Sequence, residues 1–359
     1  MAAALRSGVS RLGTLQTLLN KYGAPGSQGC TEPNDLTAVA AFEATPELVG
    51  SLMGSDAELS NLHPHLFPIA KSTKTGNYIC ALRRAYADDA SYESSTDAPW
   101  PIVESKARAP GMQLLALNSE HLMRRIACES DFQGDGDSLV GIYNDGLGKG
   151  LMSEKALDAV YEAGSAESLG YGVDKYVLLR VGPFPDLYER MAAQHAARGD
   201  EQSALIAAEA NISKFTGFAS TFKHQAKLLS SFSNRDDESR DAARMCLRLP
   251  IASIGMTKKD LREVAELAQL VDESASDEEA LAALSALYEK IRENDREEDA
   301  SSTTGMTKEQ AAIEDANYLL DTVALTGEGN WSEIRPKLGE IYRSAGRDDM
   351  ADFVDPKVL

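Results

Sequence analysis

The apolar positions of this chain change rhythm near its midpoint. Before about residue 118 they fall in short runs rather than helical stripes. LFPIA (Leu66 to Ala70) and NYICAL (Asn77 to Leu82) are compact and β-prone, and the KSTKTG between them ends in Gly76, which supplies the left-handed backbone a hairpin turn needs. The pattern predicts a β-hairpin. After a polar surface loop at DDASYESSTDAP, PIVES (Pro101 to Ser105) and MQLLAL (Met112 to Leu117) read as two more strands, joined through Ala109-Pro110-Gly111. Asn118-Ser119 then offers an N-cap for a helix through His121, Arg124 and Ile126 towards Cys128. Three or four strands with a helix make a small mixed module.

At the N-terminus, Leu5, Val9, Leu12, Leu15, Leu19 and Tyr22 recur at helical spacing and Gly23 with Pro25 stops them, which predicts a docking helix. The same segment lacks any acid from Met1 to Thr31 and carries Arg6, Arg11 and Lys21 among Ala, Ser and Leu, the composition of an organelle transit peptide. Both readings stand on the sequence. Further on, GLGKG (Gly146 to Gly150) reads as a flexible connection, with Ser153 capping a helix that carries Leu157, Val160 and Tyr161.

From Pro183 the period becomes helical. Leu187, Met191 and His195 lie one turn apart, RGDE turns at Gly199, and Ala204, Leu205, Ala208, Ile212 and Phe215 continue a second apolar face. Phe218, Phe222 and Leu229 mark a third helix, and Ala242, Met245, Cys246 and Leu249 a fourth that Pro250 ends. Gly-Met-Thr-Lys is then written twice, beginning at Gly255 and at Gly305. In each copy a threonine, Thr257 or Thr307, is placed to accept from free backbone amides at a helix start, with Asp260 or Gln310 three residues on as the partner of a capping box. Each cap opens a helical hairpin: Leu261, Val264 and Leu267, then Leu281, Leu284, Tyr288 and Ile291 after the first; Ile313, Leu320 and Val323, then Ile334, Leu338, Ile341 and Tyr342 after the second. ENDREEDASST reads as an acidic linker between them.

Leu338-Gly339, Tyr342, Gly346 and Ala351 have the spacing of the first helix and turn of a tetratricopeptide repeat, although the aromatic position that opens that motif is Arg335 here. Tyr188, Gly199 and Ala204 make a poorer match, with Met191, Ala192 and His195 replacing the motif's leucine, glycine and tyrosine. The second half thus resembles tetratricopeptide-type helical hairpins. That resemblance implies a surface for peptides or protein partners, with Tyr188, His195, Tyr342 and Arg343 as candidate contact residues.

The expected fold class is α+β, a small mixed N-terminal module followed by a mainly α-helical region of hairpin repeats. The expected divisions are 1–30 (helix or transit-like segment), 31–150 (module), 151–182 (linker helix and connection) and 183–359 (helical hairpins).

Composition narrows the function. The 359 residues include 56 acidic and 36 basic ones, a net charge of −20 that repels phosphate backbones and anionic membranes, so nucleic acid is not an expected partner. No apolar run approaches the ~20 residues of a membrane span. Four scattered cysteines without a CxxC point to a reducing compartment and core roles. His63-Pro64-His65 places two imidazoles one residue apart, with His121 and Glu120 as conceivable further metal ligands. The acidic GDGDS loop fails the EF-hand pattern, because Leu139 and Val140 stand where an oxygen ligand and glycine belong. GLGKG fails the P-loop pattern for want of the earlier glycine and the hydroxyl after the lysine.

These failures favour a non-catalytic adaptor, assembly factor or structural subunit that needs no cofactor. Its protein partners would be basic or would dock through an apolar groove. Two other readings fit the sequence: an enzyme, metal-dependent or not, with its site where module and helices meet, and a pigment- or lipid-associated organelle protein. The expected location is plastid stroma or mitochondrial matrix, with cytosol as the alternative.

Overall fold

The computed structural model describes residues 9, 11–39, 57–85, 99–134, 136–147, 160–301 and 307–356. These belong to two compact units, one drawn from Met1–Val49, His65–Ser105 and Leu114–Arg190, the other from Gly50–Pro64, Lys106–Gln113 and Met191–Leu359. The fold is α+β, with a small sheet in the N-terminal half and helices dominating the C-terminal half.

The short apolar runs do form strands: β1 (Leu36–Ala38), β2 (Leu66–Ser72), β3 (Tyr78–Leu82), β4 (Ile102–Ser105) and β5 (Met112–Ala116), in the spatial order β1-β2-β3-β4-β5. The first three pairs are antiparallel. Every residue of β3 and β4 is buried, and a strand covered on both faces has no reason to alternate. Pro68 has no N–H to give the ladder, and the β2–β3 register shifts between Pro68 and Ala70. Gly76 turns the hairpin at φ 71°. The three-residue strand β1 is an addition to the three or four strands expected, too short for its LTA to carry a pattern.

Helix α1 (Leu12–Tyr22) buries Leu15, Leu18 and Leu19, as a docking helix should; Leu5 and Arg6 lie outside the described residues. The arginine before it, Arg11, is read from composition as transit-like, yet its side chain is 4% exposed, ion-paired with Glu120 and donating to the Tyr143 carbonyl at 2.9 Å. From Arg11 onward this segment is part of the folded unit. Asn118 caps α2 (Ser119–Phe132) by accepting from the His121 amide at 2.8 Å, as its position predicts.

Residues 136–147 depart from expectation. Where the acidic loop and the glycine-rich connection suggest irregular chain, a helix α3 (Gly136–Leu147) buries Leu139, Val140 and Tyr143. Three glycines cost it helix propensity, but a Cβ on Gly146 would sit 2.5 Å from Thr14 Oγ1, so close packing on α1 requires one of them. Val160 and Tyr161, expected on a helix, are non-helical; Ser153 and Leu157 lie outside the described residues. Short helices α4 (Ser165–Ser168) and α5 (Val173–Arg180) follow, then α6 (Pro185–Ala197).

The second unit is built from α7 (Glu201–Lys214), α8 (Ser220–Ser230), α9 (Asp236–Met245), α10 (Lys258–Leu267), α11 (Asp277–Ser301), α12 (Lys308–Leu325), α13 (Trp331–Ser344) and α14 (Asp348–Val354). Consecutive pairs α8–α9, α10–α11, α12–α13 and α13–α14 pack on each other. The stretch read as the linker ENDREEDASST is helical as far as Ser301, where α11 ends; Ser302 and Thr303 lie outside the described residues. Both capping boxes form: Asp260 N donates to Thr257 Oγ1 and Thr257 N to Asp260 Oδ2, and Thr307 and Gln310 repeat the exchange. A Cβ on Gly255 would lie 2.4 Å from the Asp260 carboxyl carbon, so the first copy's glycine makes room for its own cap. Thr257→Ala and Thr307→Ala are each expected to cost about 1 kcal/mol in urea unfolding, the usual worth of such a cap.

Two excursions of the chain complete this unit around α13. Trp331, fully buried, donates from Nε1 to the Ala109 carbonyl at 2.9 Å. Arg335 donates to the carbonyls of Ser60, Leu62 and Val354, each at 2.8 Å. The position that departs from the repeat motif thus holds a buried guanidinium clamp.

Candidate interaction surface

Helix α7 packs one face into the second unit and leaves the other open. Asp200 caps it by accepting from Ser203 N at 3.1 Å. One side is small and fully used: Ala204, Ala207 and Ala208 pack with Ala192 and Leu228, so the backbones approach closely. The other side is open. Glu201, Gln202, Leu205, Ile206 and Glu209 line, with Arg235, a groove of about 500 Å³. Ile206 is 58% exposed, whereas Leu205 is half-buried.

Charge at the groove is arranged unevenly. Arg235 reaches Glu201 from Nε at 3.0 Å and Nη2 at 2.9 Å, and Glu238 from Nη1 at 2.7 Å, so its donors are spent on two acids. Glu209 is exposed and makes no ion pair among the described residues. Asp236, Asp237 and Glu238 form the first turn of α9 beside Arg235, where the positive end of the helix dipole favours them.

The residues singled out from sequence lie elsewhere. Tyr188 is half-buried on α6, and His195 Nδ1 sits 3.3 Å from Asp200 Oδ2 in the turn before α7. Tyr342 is 1% exposed, and Arg343 pairs with Asp352 at 3.5 Å. His63 packs edge-on against Trp331 with ring centroids 4.6 Å apart. The His65 carbonyl accepts from Arg83 N at 2.9 Å. The His121 ring fills the space beside Gly182, where a Cβ would meet it at 2.7 Å, and Glu120 is held by Arg11. Among the described residues no group of three or more His, Cys, Asp or Glu side chains is placed to hold a metal ion. The cysteines are buried and free, and burial pushes the Cys128 and Cys246 thiols up to about 12. Of the groove's two aliphatic residues, Leu205 is on the apolar face read from the sequence, whereas Ile206 stands two positions from both Ala204 and Ala208, off the buried stripe; that offset is the signal the sequence carries.

Residues 185–271, which contain this groove, match the family model of the PAB middle domain, and residues 284–357, which contain α12 to α14, match that of the PAB C-terminal domain. The chain belongs to the PAB family. It is 34% identical over 257 residues, covering 71% of this chain and 69% of the relative, to the Arabidopsis thaliana protein IN CHLOROPLAST ATPASE BIOGENESIS, chloroplastic. The two matched domains include both stretches that carry the tetratricopeptide resemblance. No solved structure matches the chain. No described helix is long and apolar enough to cross a membrane.

Proposed function

We propose that this chain is a non-catalytic assembly factor of the plastid stroma that holds one or more ATPase subunits while the enzyme is built. The observation that carries the reading is the 34% identity, over most of both chains, to a protein named for chloroplast ATPase biogenesis. The architecture supports it. Stacked helical hairpins offer an extended surface, and an assembly factor acts by covering a subunit rather than by chemistry. With a net charge of −20, the surface selects basic partners, whose encounter it accelerates and whose release it permits. The expected divisions of the chain remain part of this proposal, with the helical region from residue 183 as the partner-binding portion.

The test is genetic and biochemical. Cells from which the protein is removed should still synthesise the ATPase subunits but accumulate little assembled enzyme, while other plastid complexes stay at normal levels. Normal ATPase accumulation would refute the proposal. Binding to the subunit should also weaken as salt rises from about 0.05 to about 0.5 M, where exposed charges are screened beyond a few ångströms.

A further inference from the structure

The groove on α7 combines three properties that define what it can accept. Its lining positions, Glu201, Gln202, Leu205, Ile206 and Glu209, form one stripe along a helix, and eight residues at 1.5 Å rise separate the two glutamates by ~12 Å, about two turns of a helix laid against it. Its apolar part is a pair of neighbours, with Ile206 mostly exposed. Its charge is negative: Glu201 and Glu209 line it with a single guanidinium group, Arg235, and Asp236, Asp237 and Glu238 follow Arg235 in the first turn of α9. Arg235 and Arg240 are already engaged, the former by Glu201 and Glu238, the latter by Asp237 and Asp241. The carboxylates are therefore in excess.

We infer that this groove receives a basic amphipathic helix of the partner, seating one aliphatic side chain on Leu205 and Ile206 and placing lysine or arginine side chains against Glu209 and the first turn of α9. One wall is the exposed face of α7 and the other is Arg235, just before α9, and an open helix face of this kind is matched by the ridge of another helix. An acidic helix would meet uncompensated carboxylates, and an uncharged one would leave Glu209 without a counter-charge. The partner's identity as an ATPase subunit rests on the proposed function; the chemistry of the docked segment does not.

The test uses the full-length tagged protein with a photo-crosslinking side chain at Gln202, an exposed lining position, irradiated in isolated plastids, with the attached peptide sequenced. The expected product is a peptide from a helical segment carrying lysine or arginine on both sides of an aliphatic residue. Two surface variants report separately on the two kinds of contact. Glu209→Lys should weaken retention of that partner about tenfold at low salt and little at high salt, and Ile206→Ser should weaken it similarly at both, with thermal unfolding of the protein unchanged. A crosslinked basic helix from a protein outside the ATPase would uphold the groove and refute the assembly reading. An acidic or extended crosslinked segment would refute the groove. So would an absence of crosslinks while ATPase subunits still co-purify, and that result would leave the assembly reading standing.

Discussion

Replacing Asp321 with asparagine is expected to stabilise the helical unit at pH 8 and to remove much of its pH dependence between 5 and 8. Asp321 lies buried on α12, where its carboxylate accepts from Ile251 N at 2.8 Å and Tyr288 OH at 2.9 Å. Arg292, the nearest cation, is turned to Glu314 and to the Tyr288 hydroxyl. Burial dominates over these partners and pushes the carboxyl up to about 7. The folded state therefore holds a proton that the unfolded chain releases near pH 4. The stability contributed by the Asp321 carboxyl is full below about pH 4, falls as the pH rises towards 7 and is lost above it, a change on the order of 4 kcal/mol. Asparagine is neutral throughout and keeps an acceptor for the Ile251 amide. Melting curves of the two proteins should coincide near pH 4 and diverge with rising pH, the variant melting higher; parallel curves would show that the carboxyl does not titrate in this range.

The reverse holds for Arg125, whose removal should destabilise the first unit by about 3–5 kcal/mol. Its side chain is 1% exposed, meets Asp186 through two bonds of 2.6 Å, reaches Glu129 at 2.7 Å and lies over the Phe184 ring at 4.7 Å. Arg125→Ala would leave the Asp186 and Glu129 carboxylates without their shared cation. Arg125→Lys should recover only part of the loss, because an ammonium cannot make the paired contact with Asp186. Urea unfolding of the full chain measures both. A loss below about 1 kcal/mol for alanine would place the network in the class of surface ion pairs.

Arg125 also shows where sequence reading stops. In the sequence it is half of an unremarkable Arg124-Arg125 pair on a polar-looking helix, because its carboxylate Asp186 is far away in the chain. The same is true of Trp331 and Arg335, whose partners Ala109, Ser60 and Leu62 come from the first half. Local signals were legible. Asn118 caps α2, Gly76 turns the hairpin, Thr257 and Thr307 open helices, and the four strands with apolar runs stand where those runs lie. Residues 136–147 misled because glycine spacing advertises a loop, whereas burial of Tyr143 and the approach of Thr14 to Gly146 decide for a helix. Of the candidate contact residues, Tyr342 followed a repeat motif into the core. The groove on α7 is a property of an exposed face, and a periodic pattern records the buried one.

If the helical half holds an ATPase subunit, that subunit should travel with the protein. The most direct measurement is to purify the tagged native protein from plastids at low salt and determine, by sizing and mass spectrometry, what travels with it. A stoichiometric ATPase subunit is expected, and it should leave when the salt is raised. A protein that elutes alone, or with companions from which every ATPase subunit is absent, would contradict the proposed assembly role.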